Sequence, residues 1–263
     1  MEQSAQIEPS GERATERFAR PEGLQAAGLA LAPAKLPKRA LFEAPPERVA
    51  PWLLGKILAH RTRAGWLAGR IVEVEAYLGP HNDPPDAAAH SYRGPTPRNE
   101  VLFGPAGHAY LYSIYGRYFC MNISCEREGQ AGCILVRAIE PIAGLKQMAR
   151  NRGLSSFSFD SPNGTAGAKH GTARELTGGP GRLCQALGLT RSTHNGLDLL
   201  DSRSQLQLRD DGMSVQRILV TPRIGIRHAV ELPLRFALAG HSCVSGPKTM
   251  AGKCILLRPR FVP

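Results

Sequence analysis

The chain has 263 residues, 42% of them hydrophobic, and carries a formal net charge of +11 with a sequence pI of about 9.8. That is enough apolar material for one large domain or two small ones, and the excess of Lys and Arg is the footprint of a protein that meets polyanions, nucleic acid first and an anionic membrane surface second. No apolar run approaches the 18 or so residues of a membrane helix, and the amino terminus lacks the apolar stretch of a secretory signal, so no membrane association is expected and a soluble, intracellular protein is.

Residues 1–35 mix polar residues, alanine and proline without a usable period and read as a flexible extension. The folded domain is expected over 36–242. PPERVAPWLLGKILAHR predicts a short helix opening at Pro45 and Pro46 and stopping at Gly55, where glycine accepts a left-handed cap cheaply, followed by a strand over Lys56 to Arg61. The next strand, GRIVEVEAYLG, alternates strictly: Val72, Val74, Ala76 and Leu78 fall on one face, and Ile71, Glu73, Glu75 and Tyr77 on the other. The first face is core. For the second, the simplest reading is a solvated sheet face.

A long loop rich in proline and glycine, GPHNDPPDAAAHSYRGPTPRN, comes next, of a kind often functional in compact domains. HAYLYSIYG, YFCMNISCE and GCILVRAIEP are three strand-like runs, the last two joined by a hairpin. A register symmetric about Gly129 and Gln130 would set Asn122 opposite Arg137. IEPIAGLKQMARNRG has helical periodicity with Pro141 early and Gly153 just past its end, residues 153–176 read as an extended loop, and GGPGRLCQALGL is a glycine-rich lead into a helix. Two or three short strands follow within LQLRDDGMSVQRILVTPRIGIRH and PLRFAL, and 243–263 is expected to be a basic tail. The six cysteines, at 120, 125, 133, 184, 243 and 254, form no CxxC or CxxH pair, which excludes a zinc site by spacing and a secreted disulfide framework, and they read as free thiols in a reducing compartment.

Several residues are candidates for chemistry. Asn122 and Arg137 stand mid-strand among apolar neighbours, where polar groups need partners. An arginine paired with a carboxylate at a sheet edge is the simpler account of Arg137; a polar pocket with a positive floor is the functional one, and Glu75 is the natural partner. All six tyrosines fall between Tyr77 and Tyr118; beside a basic surface they suit stacking on nucleobases or wedging into a base step, although a tyrosine row can be simple packing. The helix start in GGPGRLCQAL suits a phosphate, with Arg182 adding a cation, but glycines before helices are mostly caps. His90, in the long loop, is a possible hydrogen-bond donor, and Glu73 is expected to face solvent or to pair with an arginine. No nucleophile constellation and no lysine for a Schiff base stand among these residues, and no metal site or cofactor is expected.

In order along the chain, EVEAYLGP, AAHS, TPRN, YLYSIYGRYFCMNIS, ILVRAIEP, GGPGRLCQALGL and PRIGIRHA resemble the alkyladenine DNA glycosylases, also called 3-methyladenine or methylpurine DNA glycosylases, from about residue 40 to about residue 240. The loop before His90 is longer than the family's and the part after it slightly shorter. The resemblance implies an α+β fold: a single mixed domain with a curved, largely antiparallel β-sheet core surrounded by helices. It implies base-excision repair, in which damaged purines are flipped from duplex DNA and the N-glycosidic bond is hydrolysed, leaving an abasic site without strand cleavage. By the same resemblance Glu75 is the general base and Arg137 helps it orient the attacking water. Tyr77 and Tyr112 wall the base pocket, His90 contacts the base edge, Asn122 crowds the amino group of normal guanine, and Tyr115 fills the space the nucleotide vacates. Arg98, Arg117 and Arg182 are the candidate contacts to the DNA backbone. The expected partner is double-stranded DNA containing damaged purines, met by a monomer in the bacterial cytoplasm at the nucleoid, or in the nucleus of a eukaryotic host. Rival readings are a basic sheet that recognises structured RNA without catalysis and a bifunctional glycosylase and lyase.

Overall fold

The computed structural model describes residues 34–83, 85–154, 157–158, 169–246 and 252–256. The expected extension up to residue 33, the middle of the expected 153–176 loop, and residues 247–251 and 257–263 of the expected tail lie outside the described residues.

The elements in chain order are α1 (Pro46–Leu53), β1 (Ile57–Thr62), β2 (Gly65–Tyr77), β3 (Ala109–Ile114), β4 (Tyr118–Cys125), β5 (Gly132–Ala143), α2 (Leu145–Asn151), β6 (Phe157–Ser158), β7 (Lys169–His170), α3 (Ala173–Thr177), α4 (Pro180–Leu187), α5 (Arg191–His194), β8 (Leu206–Arg209), β9 (Arg217–Thr221), β10 (Arg235–Leu238) and β11 (Lys253–Leu256). Pro45 caps α1 and Pro46 occupies its first turn, where a fixed φ suits the helix and the missing N–H satisfies nothing anyway. Gly55, at φ +86°, turns the chain into β1 as expected; a Cβ there would also press on Val215.

Nine strands form one curled antiparallel sheet with the order β11-β9-β10-β2-β5-β4-β3, and β1 joins it by pairing with both β2 and β8. The helices and the sheet make a single α+β domain. The 13-residue β2 is the spine: β1 pairs with its first half, β10 with its second, and β5 runs along its other edge. Register shifts near Gly69 and between Ile71 and Val74 accompany the curl, as β-bulges do.

Alternation sorts the sheet into two faces. Val72, Val74 and Ala76 of β2, Met121 and Ile123 of β4, and Ile134 and Val136 of β5 join Leu53 of α1, Met148 of α2 and Leu183 and Leu187 of α4 in one core. Each fully buried aliphatic side chain there contributes about 1.5–3 kcal/mol relative to exposure. The opposite face carries Glu73, Glu75 and Tyr77 of β2, Tyr110 and Tyr112 of β3, Asn122 of β4 and Arg137 of β5.

Three expectations are corrected by pairing that local sequence does not reveal. The β4–β5 register sets Asn122 opposite Leu135, not Arg137. The connection is six residues long rather than a tight turn centred on Gly129 and Gln130, because Glu126, at φ +73°, donates its N–H to Phe42 O and Gly129 donates to Phe103 O. A slip of two residues preserves the faces, so Asn122 and Arg137 still share one. The helix expected over 139–153 begins only at Leu145, since β5 continues its pairing with β2 as far as Ala143. Pro141 is tolerated in that strand because it sits opposite Gly69 beside a register shift. Finally, part of the segment expected as a tail is built into the fold: Cys243 and Ser245 are buried and β11 pairs with β9. Cys120, Cys125, Cys133, Cys184 and Cys243 are all buried free thiols.

Candidate active site

The polar face of β2 is not solvated: Glu73 and Glu75 are both fully buried. Glu75 stands near the end of the strand. Its Oε1 accepts from the backbone N–H of Ile224 at 2.7 Å and lies 3.2 Å from Nη1 of Arg137, and its Oε2 accepts from the Tyr77 hydroxyl at 2.9 Å. Three donors face the carboxylate, an arrangement suited to its ionised form, which offers about four lone-pair positions. One position is left over, and the three donor residues, Ile224, Tyr77 and Arg137, all line a cavity.

Glu73 meets the other edge of the same arginine. Its Oε1 accepts from Arg137 Nε at 3.0 Å, from Arg235 Nε at 2.7 Å and from the Ser245 hydroxyl at 2.9 Å, while Oε2 accepts from Ser245 N–H at 2.6 Å. Of the two expectations for Glu73, pairing with arginine holds and exposure does not. Two carboxylates and two guanidiniums therefore close a charge-balanced cluster beneath the sheet face. Burial alone would pull the Arg137 pKa down; facing Glu75 and Glu73 raises it.

That cavity has a volume of about 360 Å³. Tyr77 and Tyr112 line it, with Asn122, Cys133, Leu135 and Arg137 from the sheet and Ile224, Gly225 and Ile226 from the loop after β9. Burial pushes the hydroxyl pKa values of Tyr77 and Tyr112 well up, in Tyr77 reinforced by Glu75, so both rings remain neutral. Asn122 donates from Nδ2 to Tyr110 O at 3.1 Å, which fixes its amide against the sheet. His90 stands at the mouth: Nδ1 shares a hydrogen bond with the Tyr110 hydroxyl at 3.0 Å, and its ring meets Tyr112 edge-on with centroids 4.3 Å apart. Desolvation, and then the nearby Arg98, lower the His90 pKa and favour a neutral imidazole.

The long loop is held in place by partners far from it in the sequence. Asp86 and Arg223 form a fully buried pair, with Oδ2 2.5 Å from Nη1 and Oδ1 2.9 Å from Nη2. Asp86 also accepts the N–H groups of Leu78 and Ala88, and Arg223 donates to Ala76 O. The pair thus ties the His90 loop to the loop carrying Ile224, and the Arg223 guanidinium lies 4.6 Å from the Tyr77 ring centroid. Asn99 adds a second clasp by donating to His90 O and Gly94 O. PRIGIRHA was the one hint in the sequence that the loop after β9 belongs here.

Tyr115 projects from the β3–β4 turn with 93% of its surface exposed. It takes φ +51° and the following Gly116 φ +63°, the pattern that primed hairpin turns use; for a tyrosine this backbone costs roughly 1–2 kcal/mol. Arg117, exposed on the same turn, lies against the Tyr118 ring at 5.7 Å. Arg98 is exposed beside His90. Arg182 is exposed in the first turn of α4, outside the main cavity, whose lining includes Pro180 of the same turn. The structure thus brings Arg137, Tyr77, Tyr112, Asn122 and His90 to one cavity, with Glu75 buried behind Arg137 and Tyr77 and the exposed Tyr115 at its edge, and leaves Arg98, Arg117 and Arg182 at the surface outside it. Among the described residues no group of three or more His, Cys, Asp or Glu is placed to hold a metal ion, and no helix is long and apolar enough to cross a membrane.

Residues 40–242 match the methylpurine-DNA glycosylase (MPG) family. A protein of Koribacter versatilis is 48% identical over 210 residues, 80% of this chain and 93% of that protein. One of Methanoculleus marisnigri is 45% identical over 208 residues, 78% of this chain and 96% of its own length, and one of Burkholderia cenocepacia is 43% identical over 215 residues, 81% and 93%. All three bear the name "Putative 3-methyladenine DNA glycosylase".

Proposed function

The chain belongs to the methylpurine-DNA glycosylase family and is a DNA glycosylase acting on DNA, and from that premise we propose that it excises flipped-out damaged purines by direct hydrolysis at Glu75. The observation that carries the reading is the fully buried Glu75 carboxylate, whose three donor residues, Tyr77, Arg137 and Ile224, all line an aromatic cavity, and which keeps one lone-pair position free.

The glycosidic bond of a stacked nucleotide is inaccessible in a duplex, so the target must leave the stack. Tyr115, exposed on its turn, enters the gap, and the extruded purine slides between Tyr77 and Tyr112 with His90 at its edge. Asn122, held by Tyr110 O, crowds the amino group of an undamaged guanine. Arg98, Arg117 and Arg182 contact phosphates. A water on the free side of Glu75 attacks C1′ of the deoxyribose; the carboxylate takes its proton, and the electron pair of the C1′–N bond leaves with the base. Positive charge developing on the sugar is stabilised by the ionised carboxylate. Cationic 3-methyladenine and 7-methylguanine leave unaided, whereas neutral hypoxanthine and ethenoadenine leave with a proton added. The described cavity lining holds no lysine, consistent with a monofunctional enzyme that makes no covalent adduct. It acts as a monomer.

The test is single-turnover base release from a duplex oligonucleotide with one hypoxanthine, and from one with 3-methyladenine, comparing the natural chain with Glu75→Gln. Release that disappears in the variant while duplex binding persists, with no strand breaks before alkali, supports the reading. Undiminished release by Glu75→Gln, or an adduct trapped by borohydride, overturns it.

A further inference from the structure

The assignment of Glu75 as base leaves Glu73 without a function, although Glu73 has more buried partners than any other carboxylate of the site. A buried ionic cluster is a poor way to stabilise a fold, because apolar side chains of similar volume usually do as well. Its geometry does something apolar packing cannot do. Arg137 is a planar fork, and it reaches Glu75 through Nη1 alone, at 3.2 Å, because Nε is taken by Glu73 at 3.0 Å and Nη2 donates to the Ser245 hydroxyl at 3.4 Å. Freed from Glu73, the guanidinium would be able to turn and grip both oxygens of Glu75, the two-point geometry that Arg and carboxylate favour. That grip would occupy the lone pair left for the attacking water.

Glu73 is itself held by a clamp. Ser245 donates its N–H to Oε2 and its hydroxyl to Oε1; Arg235, which bonds to Glu73 Oε1, also donates to Ser245 O at 3.1 Å and to Thr221 Oγ1 at 2.8 Å. Ser245 lies three residues past 242, where the match to the family ends. We propose that Glu73, clamped by Ser245 of the segment after β10, is a positioning residue that restrains Arg137 to a single contact with Glu75 and so keeps the water site beside the general base open. The inference rests on the assignment of Glu75 as base. It adds to the reaction a part of the chain outside the region matched by the family, acting through Arg137 rather than on the substrate.

The experiment is the pH dependence of single-turnover hypoxanthine release between pH 5 and 9 for Glu73→Gln, Ser245→Ala and Ser245→Thr, beside the natural chain and Glu75→Gln, with duplex affinity and thermal melting measured on each. A tighter Arg137 grip both blocks the water and favours ionised Glu75. Glu73→Gln is therefore expected to lower the plateau by about tenfold or more and move the acidic limb to lower pH. Ser245→Ala, which removes only a hydroxyl and carries the test if Glu73→Gln does not fold, moves both in the same direction by a smaller amount, roughly two- to tenfold on the plateau. Ser245→Thr, which keeps the hydroxyl, restores the natural profile. A plateau that falls with the acidic limb unmoved would mean a structural role only, and a natural profile in a folded Glu73→Gln would mean none; either overturns the inference while leaving the function intact. Full activity in Glu75→Gln would instead remove the reading on which it rests.

Discussion

Tyr77 donates its hydroxyl to Oε2 of Glu75 across 2.9 Å, so one residue is both a wall of the cavity and a ligand of the carboxylate beneath it. Burial and the facing carboxylate keep that hydroxyl protonated far above neutral pH. Tyr77→Phe preserves the ring and deletes the donor. A hydrogen bond to a charged group contributes about 1.5–3 kcal/mol, so the variant should lose roughly ten- to a hundredfold in base release. Because the lost bond favours the ionised form, the acidic limb of its pH–rate profile should move to higher pH. An unmoved limb would show that the hydroxyl does not act on Glu75.

Tyr115 separates stability from activity. The side chain is almost wholly exposed and its backbone is in the left-handed region, where glycine is at ease. Tyr115→Gly should leave urea stability unchanged or raise it by about 1 kcal/mol, while base release from duplex DNA falls by about tenfold or more, the extruded state having lost its wedge. Equal activity on duplex substrate would deny Tyr115 that part.

The Asp86–Arg223 pair predicts the opposite pattern. Asp86→Ala leaves a fully buried guanidinium without its carboxylate and frees the His90 loop, and removing one partner of such a pair costs about 3–5 kcal/mol. Chemical denaturation reads the loss directly. A change under 1 kcal/mol would mean that water reaches Arg223.

The helix α5 gives a pH prediction away from the site. His194 and His60 are both buried, their Nε2 atoms 3.1 Å apart, and His60 Nδ1 is bonded to Leu187 O at 2.7 Å. Only one proton fits between the two rings. Desolvation lowers both pKa values, the neighbouring His60 lowers His194 further, and the unfolded chain protonates near 6.5. Below that pH the unfolded state binds protons that the folded state refuses, so stability is present above about 6.5 and is lost as pH falls from there through the folded values. Burial lowers the His241 pKa but its hydrogen bonds raise it to about 9, so it works in the opposite sense and the pair is isolated by comparison: the change in denaturation midpoint from pH 7.5 to 5.5 should be less unfavourable in His60→Gln than in the natural chain.

What could be read from the sequence follows how far each feature's cause lies along the chain. The alternation in β2, the caps of α1 and α4 and the tyrosine row are local, and their faces came through a two-residue error in the β4–β5 register because the side-chain period is two. Pro141 misled because a proline that often opens a helix here sits in a strand, permitted by a bulge opposite Gly69. For Glu73 the sequence leaves exposure and an arginine pair both open, because its partners are Arg137, Arg235 and Ser245, none near in sequence. Asp86 and Ser245 carry no signal for the same reason, each being an ordinary polar residue in a loop until the sheet curls, and Arg223 is marked only by its place in PRIGIRHA.

The separation between Glu73 and Ser245, 172 residues, also fixes when a newly made molecule can begin to work. The ribosome delivers β2 and its carboxylates early, but the clamp becomes available only after residue 245 has cleared the exit tunnel. Until then Glu73 lacks its serine partner even though Arg137 is long since made, so the cluster is among the last parts of the domain to close. A product cut just short of residue 245 would carry the lining of the cavity without the clamp on Glu73.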